Sequence, residues 1–238
     1  MRRAWLAFVV VLASGCGGGS SSPLRVSAAS SLKTAFTSLG GAQFSFAGSD
    51  QLAAQISSGL RPDVFAAANS SLPDALYKAG LVERPVAFAG NRLVLAVAPG
   101  SKITRLADLE RSGVAIAMGS PSVPVGAYTR ALLLRLPNAE RLAILRNVRS
   151  SEPDVAGVIG KLTEGAVDAG FVYVTDVKAA KGKAQAVELP RSLRPDVVYE
   201  AAVVKGSKHA DRARAFVRGL LSGRGAAALR SAGFAPPP

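Results

Sequence analysis

The sequence predicts an α/β protein folded as two lobes, and three observations carry that prediction. Apolar runs bounded by turn residues, such as residues 63–68 and 169–174, suit strands covered on both faces. Strand-like and helix-like stretches alternate, the pattern of a parallel sheet. After Pro99-Gly100 the alternation begins again, and a late strand at residues 197–204 precedes a closing helix.

The first unit is residues 26–36. A short apolar run ends in Ala28-Ala29-Ser30, and a helical pattern begins at Ser31 with Leu32, Ala35, Phe36 and Leu39 on one face. Ser31 is placed as an N-cap, where its hydroxyl and the free N–H groups of the first turn point outward together. Such an end receives anions through donors and the helix dipole, although a lone capping serine is also an ordinary structural feature. Residues 43–46 alternate in polarity as a second strand, and Ala47-Gly48-Ser49-Asp50 turns into a helix marked by Leu52, Ile56 and Leu60. Residues 63–68 form the third strand. Asn69, Ser70 and Ser71 offer caps for a helix through Leu72, Leu76 and Tyr77, stopped by Gly80.

Residues 91–98 read as one strong strand. A short helix at 106–109, a strand at 114–118, the loop Val123-Pro124-Val125-Gly126 and a helix over 127–136 follow. Ser151-Glu152-Pro153-Asp154 opens a helix through Val155, Val158, Ile159 and Leu162. Residues 169–174 are a buried strand, 197–204 the last strand and 209–221 the closing helix. One lobe is therefore expected from residues 24–98 plus 199–238 and the other from 99–198. The chain crosses near Ala98 and returns near Val198.

Residues 1–15 carry Arg2 and Arg3, an apolar run and small residues before Cys16, which is a signal peptide too short to span a membrane. Ala13-Ser14-Gly15-Cys16 resembles a bacterial lipobox, with Cys16 the lipidated first residue of the mature chain. Residues 16–23, rich in glycine and serine, form a flexible tether. The expected product is exported and held by lipid at the outer face of the cell membrane, or in the periplasm. With one cysteine in the chain, no internal disulfide forms. The net charge of +13 is scattered rather than gathered in a basic arm, and aromatic residues are only 6%, which argues against nucleic-acid binding. Lys178, Lys181 and Lys183 form one local cluster, read as a solvated loop.

With these segments in order, the chain resembles the molybdate-binding proteins of bacterial molybdate ABC transporters over nearly all of its mature length. Ala28-Ala29-Ser30-Ser31-Leu32 resembles the family's opening serine turn and Phe46-Ala47-Gly48-Ser49 its second, which implies Ser31 and Ser49 as oxyanion ligands. Val123-Pro124-Val125-Gly126-Ala127-Tyr128 and Glu152-Pro153-Asp154-Val155 resemble the stretches that give backbone N–H contacts, here from Val125 and Val155. Phe171-Val172-Tyr173 followed by Asp176 resembles the segment whose tyrosine hydroxyl, here Tyr173, reaches the oxyanion. Val125 stands in place of the family's usual alanine, and Asp50 in place of serine or another neutral residue. The Asp50 carboxylate either turns outward in the first helical turn or joins the metal's coordination. The resemblance implies a type II periplasmic-binding-protein fold with two hinge crossovers, molybdate or tungstate in the cleft, and delivery to an ABC transporter permease. Another oxyanion, such as sulfate or phosphate, is the alternative ligand.

Catalysis is not expected. Ser30 or Ser31 would need a base to act as a nucleophile, and the single histidine, His209, lies in a polar helix start. No metal-ligand cluster is visible, no cofactor is implied, and a monomer is expected.

Overall fold

In a computed structural model the described residues, 22–238, build two five-stranded sheets. The expected signal peptide, Cys16 and most of the tether lie outside the described residues. In chain order the strands are β1 (Leu24–Ala29), β2 (Ala42–Ala47), β3 (Val64–Ala67), β4 (Val86–Asn91), β5 (Leu93–Val97), β6 (Ile116–Gly119), β7 (Val148–Glu152), β8 (Ala169–Tyr173), β9 (Gln185–Val187) and β10 (Val197–Val203). The main helices are α1 (Lys33–Leu39), α2 (Ser49–Ser57), α3 (Ser71–Lys78), α4 (Pro124–Leu133), α5 (Asn138–Arg146), α6 (Val155–Thr163), α7 (Val174–Ala179), α8 (Ala210–Gly219) and α9 (Gly223–Ala232).

The first sheet has the order β2-β1-β3-β10-β4 and the second β7-β6-β8-β5-β9. In the first, β1 runs parallel to β2 and β3 while β10 is antiparallel to β3 and β4. In the second, β6 runs parallel to β7 and β8 while β5 is antiparallel to β8 and β9. Each sheet is thus mixed, with one reversed strand inserted beside its parallel core. That inserted strand is the one that has just crossed from the other sheet, so the two lobes exchange strands at the hinge.

The crossing points differ from expectation. Residues 91–98 do not form one strand: Asn91 ends β4 in the first sheet, and β5 pairs with β8 in the second. The break is local, because the Asn91 side-chain oxygen accepts the N–H of Arg92 at 2.8 Å and turns the chain there. The first lobe therefore ends at Asn91 rather than Ala98, and the return is complete by Val197, where β10 begins in the first sheet. Arg92 and Arg194, one in each crossing, both pair with Glu188 at 3.1 and 3.0 Å.

Strand character follows burial. All four residues of β3 and all five of β5 and β8 are buried, whereas the edge strand β2 alternates. Phe36 of α1 packs against Phe44, Phe88 and Phe216 with ring centroids 5.6–6.2 Å apart, tying α1, β2, β4 and α8 into one lobe. Leu60, read as marking the second helix, is 46% exposed because it lies beyond the end of α2, and Tyr77 in α3 is 44% exposed. Among the described residues no helix is long and apolar enough to cross a membrane.

Candidate functional site

The carboxyl ends of the parallel strands in both lobes point at one cleft, where an open α/β sheet presents its ligands. A cavity of about 20 Å³ lies there, lined by Ser31, Ser49, Val125, Val155 and Tyr173 together with neighbouring small residues. Water needs ~10–15 Å³ by that measure, so the cavity suits a small inorganic ion rather than a sugar or an amino acid. The five residues inferred from sequence all meet in it. Their exposures run from 1% to 7%, so the lobes are closed over the site.

Each wall is a helix start. Ser31 lies in the single 3-10 turn Ser30–Leu32 that follows β1, and Ser49 is the first residue of α2. Val125 follows Pro124, the first residue of α4, and Val155 begins α6. N–H groups in a first turn have no acceptor within their own helix, and the helix dipole adds partial positive charge there. Pro124 suits this place because its ring fixes the first helical φ and it has no N–H to satisfy. Gly126 is required one residue later: a Cβ would run into the carbonyl oxygens of Gly119 and Ser120, so only glycine lets α4 begin so close to the end of β6.

The side chains differ from a simple capping picture. Ser31 caps no helix; its Oγ lies 2.8 Å from the Tyr199 hydroxyl. Ser49 Oγ accepts the N–H of Ala68 at 3.1 Å, which leaves its own hydrogen free for the cavity. The Tyr173 hydroxyl is buried without a hydrogen-bond partner. A buried hydroxyl left alone costs on the order of 1–3 kcal/mol, so this atom marks where a ligand acceptor belongs. Burial holds the Tyr173 phenol well above its usual range, and it stays a donor.

No lysine, arginine or histidine is among the described residues that line the cavity, and its one acid, Asp154, accepts the N–H of Gly157 at 2.9 Å as the N-cap of α6. An adjoining groove of about 490 Å³ is lined in part by Lys33, Lys181 and Lys183, and Arg130 donates to the carbonyls of Gly119 and Gly126 behind the start of α4. Asp50 is outside the cavity wall. Its Oδ2 accepts a 2.6 Å hydrogen bond from Ser122 of the other lobe, while its buried Oδ1 has no partner. Among the described residues, no group of three or more His, Cys, Asp or Glu is placed to hold a metal ion.

Sequence reasoning missed three participants. Gly48 faces Pro153 and Val123 across the cleft, close enough that a Cβ would meet the Pro153 carbonyl oxygen. Tyr199 and Asn91 back Ser31 from distant points in the chain. For Gly48 the signal was present in Ala47-Gly48-Ser49, but its reason lies in the other lobe.

A family model described as bacterial extracellular solute-binding protein matches residues 24–235. The molybdate-binding protein ModA of Mycobacterium tuberculosis is 37% identical over 225 residues, covering 89% of this chain and 84% of that protein. The substrate-binding domain of a putative molybdenum ABC transporter from Clostridium difficile superposes with a TM-score of 0.66 at 28% identity, covering 90% of this chain and 98% of that one. The periplasmic molybdate-binding protein of Azotobacter vinelandii superposes with a TM-score of 0.79 at 20% identity, covering 90% and 100%, and shares the two-lobed fold. The relatives are binding proteins rather than enzymes, in keeping with the lack of a catalytic constellation in the sequence.

Two outcomes follow from this geometry. The φ of Gly48 is −59°, a value alanine adopts freely, so the Cβ added by Gly48→Ala meets Pro153 and Val123 of the other lobe and, within its own lobe, only the end of the Asp50 side chain. Ligand affinity should fall at least about tenfold, or ~1.4 kcal/mol, with little change in the melting temperature of the free protein. An unchanged affinity would mean that the closed arrangement is not the binding one. Asp176, buried beside Tyr173 and accepting its N–H at 2.9 Å, has its carboxyl pushed up from 3.8 to about 7, first by burial. The native state then holds the proton more tightly than the unfolded chain, so this group's contribution to stability falls as pH rises from about 4 to about 7. Asp176→Asn keeps the acceptor and should flatten the decline of melting temperature over that range. Parallel curves would contradict the assignment.

Proposed function

The chain belongs to the bacterial extracellular solute-binding protein family, and we propose that it captures molybdate between its lobes and delivers it to an ABC transporter permease. Tungstate carries the same charge at nearly the same size and is proposed as a second ligand. The observation that carries the reading is the buried, unpartnered hydroxyl of Tyr173, which converges with Ser31, Ser49 and the helix starts at Val125 and Val155 on a cavity of ionic size.

Neutral donors and dipoles hold a dianion without a salt bridge, and their number sets the charge they tolerate. They also select, because an oxyanion that keeps a proton brings a donor to a wall of donors. Export and lipid attachment at Cys16 are part of the same proposal. They are supported by Ala13-Ser14-Gly15-Cys16 in the sequence and fit a receptor that passes its ligand to a membrane permease. A tethered receptor needs no oligomer for that task, and a monomer is proposed.

Calorimetry with the purified protein tests the ligand. Molybdate and tungstate should bind comparably, with sulfate and hydrogenphosphate at least tenfold weaker. Tyr173→Phe should weaken molybdate about ten- to a hundredfold, the worth of one hydrogen bond to a charged acceptor at roughly 1.5–3 kcal/mol, while the melting temperature without ligand holds. Sulfate or phosphate binding as tightly as molybdate would replace the ligand; full affinity in Tyr173→Phe would remove Tyr173 from the site.

A further inference from the structure

We infer, on the reading of the cavity as an oxyanion site, that Asn91 and Tyr199 are positioning residues that fix the Ser31 hydroxyl as a donor and so exclude protonated oxyanions. Neither residue lines the cavity. Their hydrogen bonds reach it through Ser31, while the Tyr199 ring also packs against Tyr173.

The direction of each hydrogen bond follows from its neighbour. The side-chain oxygen of Asn91 accepts the N–H of Arg92 at 2.8 Å, which orients the amide. Its nitrogen therefore faces the other way, donating to Thr175 Oγ1 at 2.9 Å and to the Tyr199 hydroxyl at 3.3 Å. A phenol hydroxyl has one hydrogen. With Asn91 donating to its oxygen, that hydrogen goes to its remaining partner, Ser31 Oγ, at 2.8 Å. Ser31 then accepts from Tyr199, and its own hydrogen is left for the cavity. Tyr199 is fully buried, which keeps its hydroxyl protonated and the chain of donors intact.

A fully deprotonated oxygen receives the Ser31 hydrogen directly. An oxyanion presenting an O–H at the same point would force Ser31 to accept, stranding the serine hydrogen in a buried place or reversing the bonds behind it. Either costs a buried hydrogen bond. Molybdate, tungstate and sulfate are fully deprotonated near neutral pH and hydrogenphosphate is not, so this chain of bonds acts on the class of ligand rather than on its size. Its last anchor is shared between the lobes: Asn91 ends β4 in one, and Thr175 lies in α7 of the other.

The test is a double-mutant cycle, read by calorimetry and by competition near neutral pH. Tyr199→Phe keeps the ring that packs edge-on against Tyr173 and Phe234, at centroid distances of 5.9 and 5.2 Å, so the fold should hold. Alone it should weaken molybdate about three- to tenfold and reduce the ratio of molybdate to hydrogenphosphate affinity by a similar factor. In a Ser31→Ala background the same substitution should change molybdate affinity less than about twofold, since Tyr199 acts through Ser31. Asn91→Ala, a second variant, should move the ratio in the same direction. Additive losses across the cycle, or an unchanged ratio in both variants, would overturn the role of Tyr199 while leaving the ligand reading standing. A wild-type protein that binds no oxyanion would instead refute the ligand reading itself.

Discussion

A dianion removed from water must have its charge met by groups that were already in place, because an ion stripped of its hydration shell is otherwise too costly to bury. The buried hydroxyl of Tyr173 is the most direct trace of that constraint, since among the residues lining the cavity it is the one buried side-chain polar atom with no hydrogen-bond partner of any kind. Much of the architecture can be derived from it. Uncharged donors are weak singly, so several must converge, and the cheapest convergent donors in a protein are helix starts. An open α/β sheet delivers helix starts at one edge, and two sheets whose carboxyl ends meet at one cleft deliver them from opposite sides. The strand exchange through β5 and β10 then leaves the two edges free to part and meet.

Closing two lobes over a small ion demands contact at van der Waals distance, and small residues are placed accordingly. Gly48 lets the turn before α2 meet Pro153 across the cleft, while Gly126, within one lobe, lets α4 begin against the end of β6. Polar contacts span the cleft as well: Asp50 with Ser122, Asn91 with Thr175, and Lys178 with the carbonyl of Ser231. Bonds of this kind contribute about 0.5–1.5 kcal/mol each, enough to favour closure without fixing it. A ligand binding only the closed form can then tip the balance. Among the described residues no lysine or arginine lines the cavity wall, and the chain's net charge of +13 draws anions toward the molecule without supplying a counter-ion there.

What was legible in the sequence was local. Ser31, Ser49, Val125 and Val155 each sit where a strand or loop gives way to a helix, and Tyr173 ends a buried apolar run; short-range patterns betray both. The roles of the residues behind them arise from pairing over long separations and leave no such mark. Tyr199 meets Ser31 across 168 positions, and nothing near Val198 or Glu200 announces it. The crossing at Arg92 was hidden for a different reason. Residues 91–98 are apolar enough to read as one strand, and the change of sheets shows only in the pairing of β4 with β10 and β5 with β8, with the Arg92 N–H donating to the Asn91 side chain at the break. Asp50 was ambiguous because its position in a first turn suits an outward carboxylate, whereas its partner, Ser122, belongs to the opposite lobe.

The central claim is that the oxyanion is held whole, by uncharged donors, with no protein atom bound to its metal. X-ray absorption at the molybdenum edge of the molybdate-loaded protein tests it most directly. The account predicts a tetrahedral oxygen shell indistinguishable from that of free molybdate, with the strong pre-edge feature that tetrahedral symmetry gives. An expanded shell with added oxygen neighbours and a weakened pre-edge would contradict it, and would place a carboxylate, Asp50 or Asp154, on the metal.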